Sequence, residues 1–516
     1  MSDNAGANGF KIQGGQIARN TFLNFAGMGL PLIVGLVAMP LTVRWLGTER
    51  FGLLSLIWIV FTYFSFFDLG LGMATTRIIA SALGKGETES IPRYFWTTTI
   101  LQAFIGLLSG VALVSVSPLL VDRILNIPPA FVGEAKLSFL LLGASLPLIL
   151  VTASFKGALE AGQRFDIVNA VKVPSSALNY LLPPLGALAG FRLPGIVLLL
   201  IGARALTCVA WAGFCFRAFP NLRSGFGFRR DALKPVLGFG LWVMVANAVN
   251  PVLVYLDRFL IGRLMTVQDV GYYTAPYEGV NRLSIVPYSL LLTIFPMFSA
   301  LDAGGDQAKK TLFYRRSIEF LTIFMGIIIS VVIFFAHDIL HLWLGEAFAV
   351  RSTTVLQVLA AGFFFTAIAN VPYSLLQAIG RSDVVAKLYI GELILYVPLA
   401  WFLIKKLGIS GAAVALATRA FADMVLQMIL AARLGRIHSG PTFKNGMPRA
   451  VILTLVLVTA SVALRPFGWG APAFVLLVLM APVVIWRRVF DARERTLFTE
   501  GIRSARLRTR RTARRR

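Results

Sequence analysis

About fourteen apolar runs, most near the ~20 residues a helix needs to cross a bilayer, follow one another through this chain. That succession leaves few folds open. A water-soluble core cannot absorb so much apolar surface: 57% of residues are hydrophobic and 14% charged, against roughly half and a quarter in soluble domains. The runs are Asn20–Trp45, Phe51–Leu71, Tyr94–Val121, Phe131–Phe155, Ile167–Ala189, Pro194–Phe216 and Val236–Ile261. They continue as Tyr277–Phe298, Ile318–Ala336, Val355–Ala378, Val384–Ile404, Ile409–Ala432, Ala450–Leu464 and Ala471–Trp486. The expected fold is an all-α polytopic membrane protein.

Charge assigns the sides. With the N-terminus inside, roughly 35 Lys and Arg fall on the cytoplasmic side against roughly 12 outside. The inner segments include Arg217–Lys234, Lys309–Arg316, Arg433–Arg449 and the tail Arg487–Arg516. In a soluble protein a net charge of +25 would suggest nucleic acid; here the basic residues lie between apolar runs, and membrane topology explains them without a nucleic-acid partner. Both termini are expected in the cytoplasm, and the arginine-rich tail on anionic lipid headgroups. Cys208 and Cys215 lie two helical turns apart, too far to bridge, and read as core residues. No cleavable signal is evident before Gln16.

The chain repeats itself. Leu159 to Asp166 aligns with Leu376 to Asp383 without a gap, Leu46 to Gly52 with Leu264 to Gly271, and Gly195 to Ala205 with Gly411 to Ala420. All three share an offset of about 215 to 219 residues. The expected organisation is two six-helix lobes with pseudo-two-fold symmetry, followed by two further helices. In numbers, that is an N-terminal segment (1–17), an N-lobe (18–218), a basic linker (219–235), a C-lobe (236–434), helices thirteen and fourteen (435–490) and a basic tail (491–516). Each lobe starts and ends inside, so the axis runs along the membrane normal.

The motifs Leu46-Gly47-x3-Phe51-Gly52-Leu53 and Phe67-Asp68-Leu69-Gly70-Leu71-Gly72, with Ala74 and Arg77, resemble the polysaccharide transporter (O-antigen flippase) family. So do Leu256-Asp257-Arg258-x2-Ile261-Gly262, Gly271-Tyr272-Tyr273 and Leu376-Gln377-Ala378-x-Gly380-Arg381. The resemblance spans roughly residues 15 to 435. It implies membership of a superfamily shared with multidrug antiporters and lipid II flippases, and two lobes around a central cavity. It also implies movement of undecaprenyl-pyrophosphate-linked glycans across the bacterial inner membrane. Membrane lipids and the polysaccharide polymerase and glycosyltransferases are its implied partners; no cofactor is expected. The extra C-terminal helices resemble those of lipid II flippases.

Charges inside the runs are the candidate site. Arg204 lies about 15 Å into the sixth run and Arg419 holds the same place in the twelfth. A charge at that depth costs at least ~2.5 kcal/mol and normally faces a cavity or a partner. Two readings stand: attraction of a pyrophosphate headgroup, which suits guanidinium, and structural pairing, with Asp423 one turn from Arg419. By resemblance to lipid II flippases Arg282, near the outer end of the eighth helix, lines the cavity; Asn250, Asp257 and Arg258 are grouped with it. Asp257-Arg258 also reads as an interfacial ion pair. Asp68, Arg77, Asp423 and Glu392 are expected in gating or structural roles. His337 and His341 read as interfacial, without a metal.

Among function classes, a flippase for lipid-linked oligosaccharide leads. A multidrug or small-molecule cation antiporter is the alternative, kept open by Glu392. A membrane polymerase or glycosyltransferase would need a sizeable non-membrane loop, and no nucleophile–base set argues for an enzyme. No Walker motif occurs.

Overall fold

A computed structural model describes residues 31–484 except 32, 67–70, 86, 163, 224, 234–252, 438–445, 466 and 468. Among the described residues the secondary structure is helical throughout. They form two compact units, one up to Ala275 and one from Pro276. Among the described residues six helical segments are long and apolar enough to cross a membrane, the longest, Asp383–Leu434, being a pair of helices joined at Gly408. Their outward faces are apolar: Leu206 and Val209, in the sixth run, are 68% and 69% exposed. Only lipid solvates such surfaces at no cost, so this is a membrane protein.

The first unit holds α1 (Ile33–Leu46), α2 (Thr48–Phe66), α3 (Leu71–Lys85), α4 (Ile91–Leu119), α5 (Pro129–Ala161), α6 (Phe165–Leu188), α7 (Leu193–Ala218) and α8 (253–264). It also takes in the start of α9 (Val267–Asn281). Small residues bring α4 and α5 together. A Cβ on Gly106 would lie 2.5 Å from the Pro147 backbone, and one on Gly110 2.5 Å from the Gly143 carbonyl. This is the small-xxx-small contact of membrane helices. The connectors gather by side. Asn126, between α4 and α5, donates from its backbone to Gly262 O at 2.8 Å. Its side chain donates to Arg263 O and Met265 O at 3.0 and 2.8 Å. Gln268 donates to Thr48 Oγ1 at 3.0 Å. At the other end Trp96 donates to Leu222 O at 2.8 Å, Arg229 N to Thr97 Oγ1 at 3.1 Å, and Arg93 pairs with Asp231 at 2.9 Å.

The second unit holds the remainder of α9, α10 (Ile285–Ala303), α11 (Gln307–Phe334), α12 (Ala336–Leu344), α13 (Glu346–Ala378), α14 (Ser382–Leu434), α15 (Gly446–Ala463) and α16 (Gly470–Val484). α14 is two helices: Gly408 has φ 61° and ψ −142°, open to glycine and strained for other residues. The chain folds back there, and a Cβ on Gly411 would lie 2.0 Å from Leu403 O.

The elements depart from the sequence reading in two places. The segment after the second run, read as a loop from Gly72 to Arg93, carries α3 to Lys85. The eighth run was expected to begin at Tyr277, but helix begins at Val267 and runs as α9, a 3₁₀ turn at Arg282–Ser284, and α10. The polar residues Gln268, Asp269 and Glu278 depress local hydropathy, yet Val267, Val270, Tyr273 and Ala275 are buried and hold the helix.

Candidate functional site

A buried polar cluster lies between the two arms of α14. On a straight helix Glu392 and Arg419 would stand about 40 Å apart; the turn at Gly408 brings Arg419 Nη1 to 3.3 Å from Glu392 Oε2. Asp423 accepts from Gln427 Nε2 at 2.6 Å. The Tyr396 ring lies under the Arg419 guanidinium at 5.5 Å. Glu392, Asp423, Gln427 and Tyr396 are all buried. The expected pairing of Arg419 with Asp423 is therefore corrected. Glu392, on the opposite arm, is the ion-pair partner, because the reversal presents the two arms face to face.

Arg204 occupies the matching place in the first unit. It is the twelfth residue of α7, about 17 Å along the helix, and its Nη2 donates to Asn179 Oδ1 on α6 at 3.2 Å. One turn on, Thr207 donates to Ser175 at 3.2 Å. Its described surroundings on α6 are thus neutral amide and hydroxyl groups, whereas Arg419 faces carboxylates.

Arg282 does not stand near the outer end of its helix. It opens the 3₁₀ turn between α9 and α10, midway along a helical stretch from Val267 to Ala303, and pairs with Glu278 at 3.6 Å. Asp257 and Arg258 form an ion pair, and both side chains are fully buried. Arg258 donates to Asp257 Oδ1 at 3.1 Å and to Val254 O at 2.8 Å. Tyr273 donates to the other Asp257 oxygen. The connector after α8 is held by Asn126, which donates to Met265 O, and by Gln268, which donates to Thr48 Oγ1. Asp68 and Asn250 lie outside the described residues, and Arg77 falls on α3. His337 and His341 sit on α12 with parallel rings 6.3 Å apart, and His341 faces Glu346 at 3.3 Å. Cys208 and Cys215 are buried free thiols.

The repeat has a local structural counterpart. Arg164 N donates to Leu159 O at 3.0 Å, and Arg381 N to Leu376 O at 2.8 Å. Each arginine then pairs with the aspartate two residues on, Asp166 at 3.1 Å and Asp383 at 3.2 Å. The Arg164 guanidinium holds the Asp166 carboxyl below the usual range.

Asn179, Gln427 and Tyr396 escaped sequence reasoning. A signal existed for the first of them. Asn179 and Arg204 are nearly equidistant from the α6–α7 turn, whereas Glu392 and Arg419 stand 16 and 11 residues from Gly408. In an antiparallel hairpin, equidistant residues face each other.

The architecture defines a class. The fold matches the inward-facing conformation of a multidrug resistance MATE family transporter of the MOP superfamily, with a TM-score of 0.71 at 17% identity over 80% of this chain and 98% of that one. The chain belongs to the family described as polysaccharide biosynthesis protein, whose model matches residues 17–302. It is 28% identical to the candidate O-antigen transporter of Shigella flexneri over 82% of this chain and 99% of that protein. It is also 22% identical to the uncharacterized membrane protein EpsK of Bacillus subtilis (strain 168), over 68% and 70%.

Proposed function

We propose that this protein is a flippase that moves undecaprenyl-pyrophosphate-linked oligosaccharide units across the bacterial inner membrane by alternating access. The observation that carries the reading is the placement of Arg204 and Arg419 halfway along antiparallel helix hairpins, in a chain of a polysaccharide family. A pyrophosphate cannot cross hydrocarbon without compensation of its charge, and guanidinium supplies two parallel donors to phosphate oxygens. Arg282, at the break between α9 and α10, is a third contact in this reading. The polyprenyl tail stays in lipid while the headgroup passes through, so no bond is made or broken and the protein is not an enzyme.

The topology that goes with this reading has fourteen spans, two six-helix lobes and both termini inside. The alternation of spans puts the connectors around Gly47, Asn126 and Met265 on one side, and these are in contact. The paired turns at Arg164 and Arg381 support the two-fold repeat. Lipid-linked oligosaccharide and membrane lipids are the partners, with the polymerase and glycosyltransferases up- and downstream.

Complementation of a flippase-null strain tests the reading, scored by surface glycan and by membrane abundance. Arg204→Gln and Arg419→Gln should abolish surface glycan while the protein still inserts, with lipid-linked units accumulating on the inner leaflet. Arg204→Lys should rescue only partly, because lysine keeps the charge and loses the fork. Full export by the triple Arg→Gln variant, Arg282 included, sinks it. A cation antiporter is the second reading, favoured by the carboxyls of Glu392 and Asp423; it requires drug resistance to rise on expression and surface glycan to be indifferent to the arginines.

A further inference from the structure

We propose that a cavity at one end of the first unit binds the headgroup of a phosphatidylethanolamine molecule, with its phosphate on Arg229 and its ammonium on Glu89. The cavity lies between the start of α4 and the connector that follows α7. It holds about 530 Å³, within the roughly 300–1,000 Å³ of small-molecule sites. The connector is pinned to the helix. Trp96 donates to Leu222 O at 2.8 Å and Arg229 N to Thr97 Oγ1 at 3.1 Å, and a Cβ on Gly225 would lie 2.3 Å from Pro92 Cβ. The walls are therefore in place before a ligand arrives. Four charged side chains line them: Glu89, Arg93, Arg229 and Asp231. Arg93 and Asp231 satisfy each other at 2.9 Å. Arg229 and Glu89 form no ion pair among the described residues, either with each other or with a third group. One charge of each sign, held apart in one cavity, is the complement of a zwitterion with phosphate and ammonium on a short linker.

The same balance disfavours other ligands. Pyrophosphate would bring several negative charges to two carboxylates. Phosphatidylglycerol would leave Glu89 without a cation. A choline headgroup has no N–H for Glu89 and suits an aromatic cage, and no aromatic ring lines this cavity. The surroundings point to a lipid as the source. α4 and α7 belong to the spanning segments Thr88–Ile124 and Leu193–Ala218, so their shared end stands at the level of phospholipid headgroups. On the same connector Phe226 and Phe228 are 72% and 44% exposed, and Trp96 meets the Phe226 ring edge-on at 4.6 Å. Two phenyl rings beside a charged cavity are costly in water and well placed against the acyl end of a lipid.

Native mass spectrometry of the full chain in detergent, with equal amounts of phosphatidylethanolamine, phosphatidylcholine and phosphatidylglycerol, tests the site. The wild type should retain phosphatidylethanolamine about tenfold over the other two. Arg229→Gln should lose that retention, and Glu89→Gln should bring phosphatidylglycerol level with phosphatidylethanolamine. Arg230→Gln removes a neighbouring exposed arginine that does not line the cavity and should change neither; thermal unfolding checks that each variant folds. Phe226→Ser should weaken binding of the lipid and leave soluble O-phosphoethanolamine unaffected. The proposal is overturned if the wild type retains the three lipids equally, or if the ethanolamine preference persists in a folded Glu89→Gln or Arg229→Gln variant. O-phosphoethanolamine binding as tightly as the lipid, with both indifferent to Phe226→Ser, would overturn the lipid as the source and leave a soluble zwitterion. None of these readouts involves glycan export, so the lipid site and the flippase reading stand or fall separately.

Discussion

Gly52, in the second turn of α2, is where the alternating-access reading is most exposed to test. A Cβ at this position would lie 1.7 Å from Val267 O and 2.7 Å from the Val267 carbonyl carbon. Ordinary contact begins near 3.4 Å, so α2 and the start of α9 must part by about 1.7 Å to admit even alanine. The obstacle is backbone and cannot rotate aside. The same displacement stretches the Gln268–Thr48 hydrogen bond from 3.0 Å beyond bonding range, and it strains the three bonds from Asn126 to the α8–α9 connector. Overpacking of this kind costs about 1–3 kcal/mol. If the contact between these connectors is made in one transport state and broken in the other, Gly52→Ala lowers the population of the closed contact about 5- to 150-fold. The readout is labelling of a Gln268→Cys reporter by a membrane-impermeant maleimide in whole cells, normalised to protein abundance. The native thiols Cys208 and Cys215 are buried and contribute little. Labelling should rise in Gly52→Ala and stay unchanged in Gly133→Ala, where a Cβ meets nothing within 4 Å. Wild-type labelling together with wild-type export in Gly52→Ala would refute the idea that this contact opens.

Two further outcomes follow from the buried and exposed ion pairs. Asp257→Ala removes the carboxylate facing a fully buried Arg258 and should cost about 3–5 kcal/mol, seen as lost membrane abundance; the double variant Asp257→Leu/Arg258→Met should recover most of it, and failure to do so would argue against a purely structural pair. Asp166→Asn should lower the thermal unfolding midpoint of the purified protein slightly near neutral pH. The Asp166 carboxyl is held below its unfolded range chiefly by its hydrogen bond with Arg164. Its contribution is therefore present above the unfolded value and fades as pH falls through the folded one, and a difference that persists in acid would contradict the assignment.

How far the sequence reaches can be seen residue by residue. Apolar run length locates α4, α5, α7 and both arms of α14, because hydrocarbon demands continuous helix there. It misplaces the start of the α9 helix, since a helix buried by protein tolerates Gln268, Asp269 and Glu278, and hydropathy sees only composition. Burial is not legible for Asp257-Arg258 either: the pair lies near the end of an apolar run, yet both side chains are fully enclosed by protein. Partner choice was the weakest step. Reasoning along one helix offers Asp423 to Arg419 because they are four residues apart. The real ion pair crosses a hairpin, 27 residues away in sequence, and counting from Gly408 does not locate it either, since the two residues stand 16 and 11 positions from the turn.

The arginines Arg258, Arg419 and Arg204 differ in what a cargo must displace. Arg258 is fully enclosed, with its carboxylate, a backbone carbonyl and two tyrosine rings around it, so reaching it requires dismantling that packing. Arg419 would have to leave Glu392, a charge-assisted contact of about 1.5–3 kcal/mol. Arg204 would exchange the neutral amide of Asn179, a bond of about 0.5–1.5 kcal/mol, for a phosphate oxygen, which is a stronger acceptor. On that scale Arg204 is the first contact to form and Arg419 the second. Loss of Arg204 should therefore weaken headgroup binding more than loss of Arg419. Inorganic pyrophosphate titrated into the nanodisc-embedded protein separates the two: affinity should fall further in Arg204→Gln than in Arg419→Gln. A larger loss in Arg419→Gln would reverse the assignment.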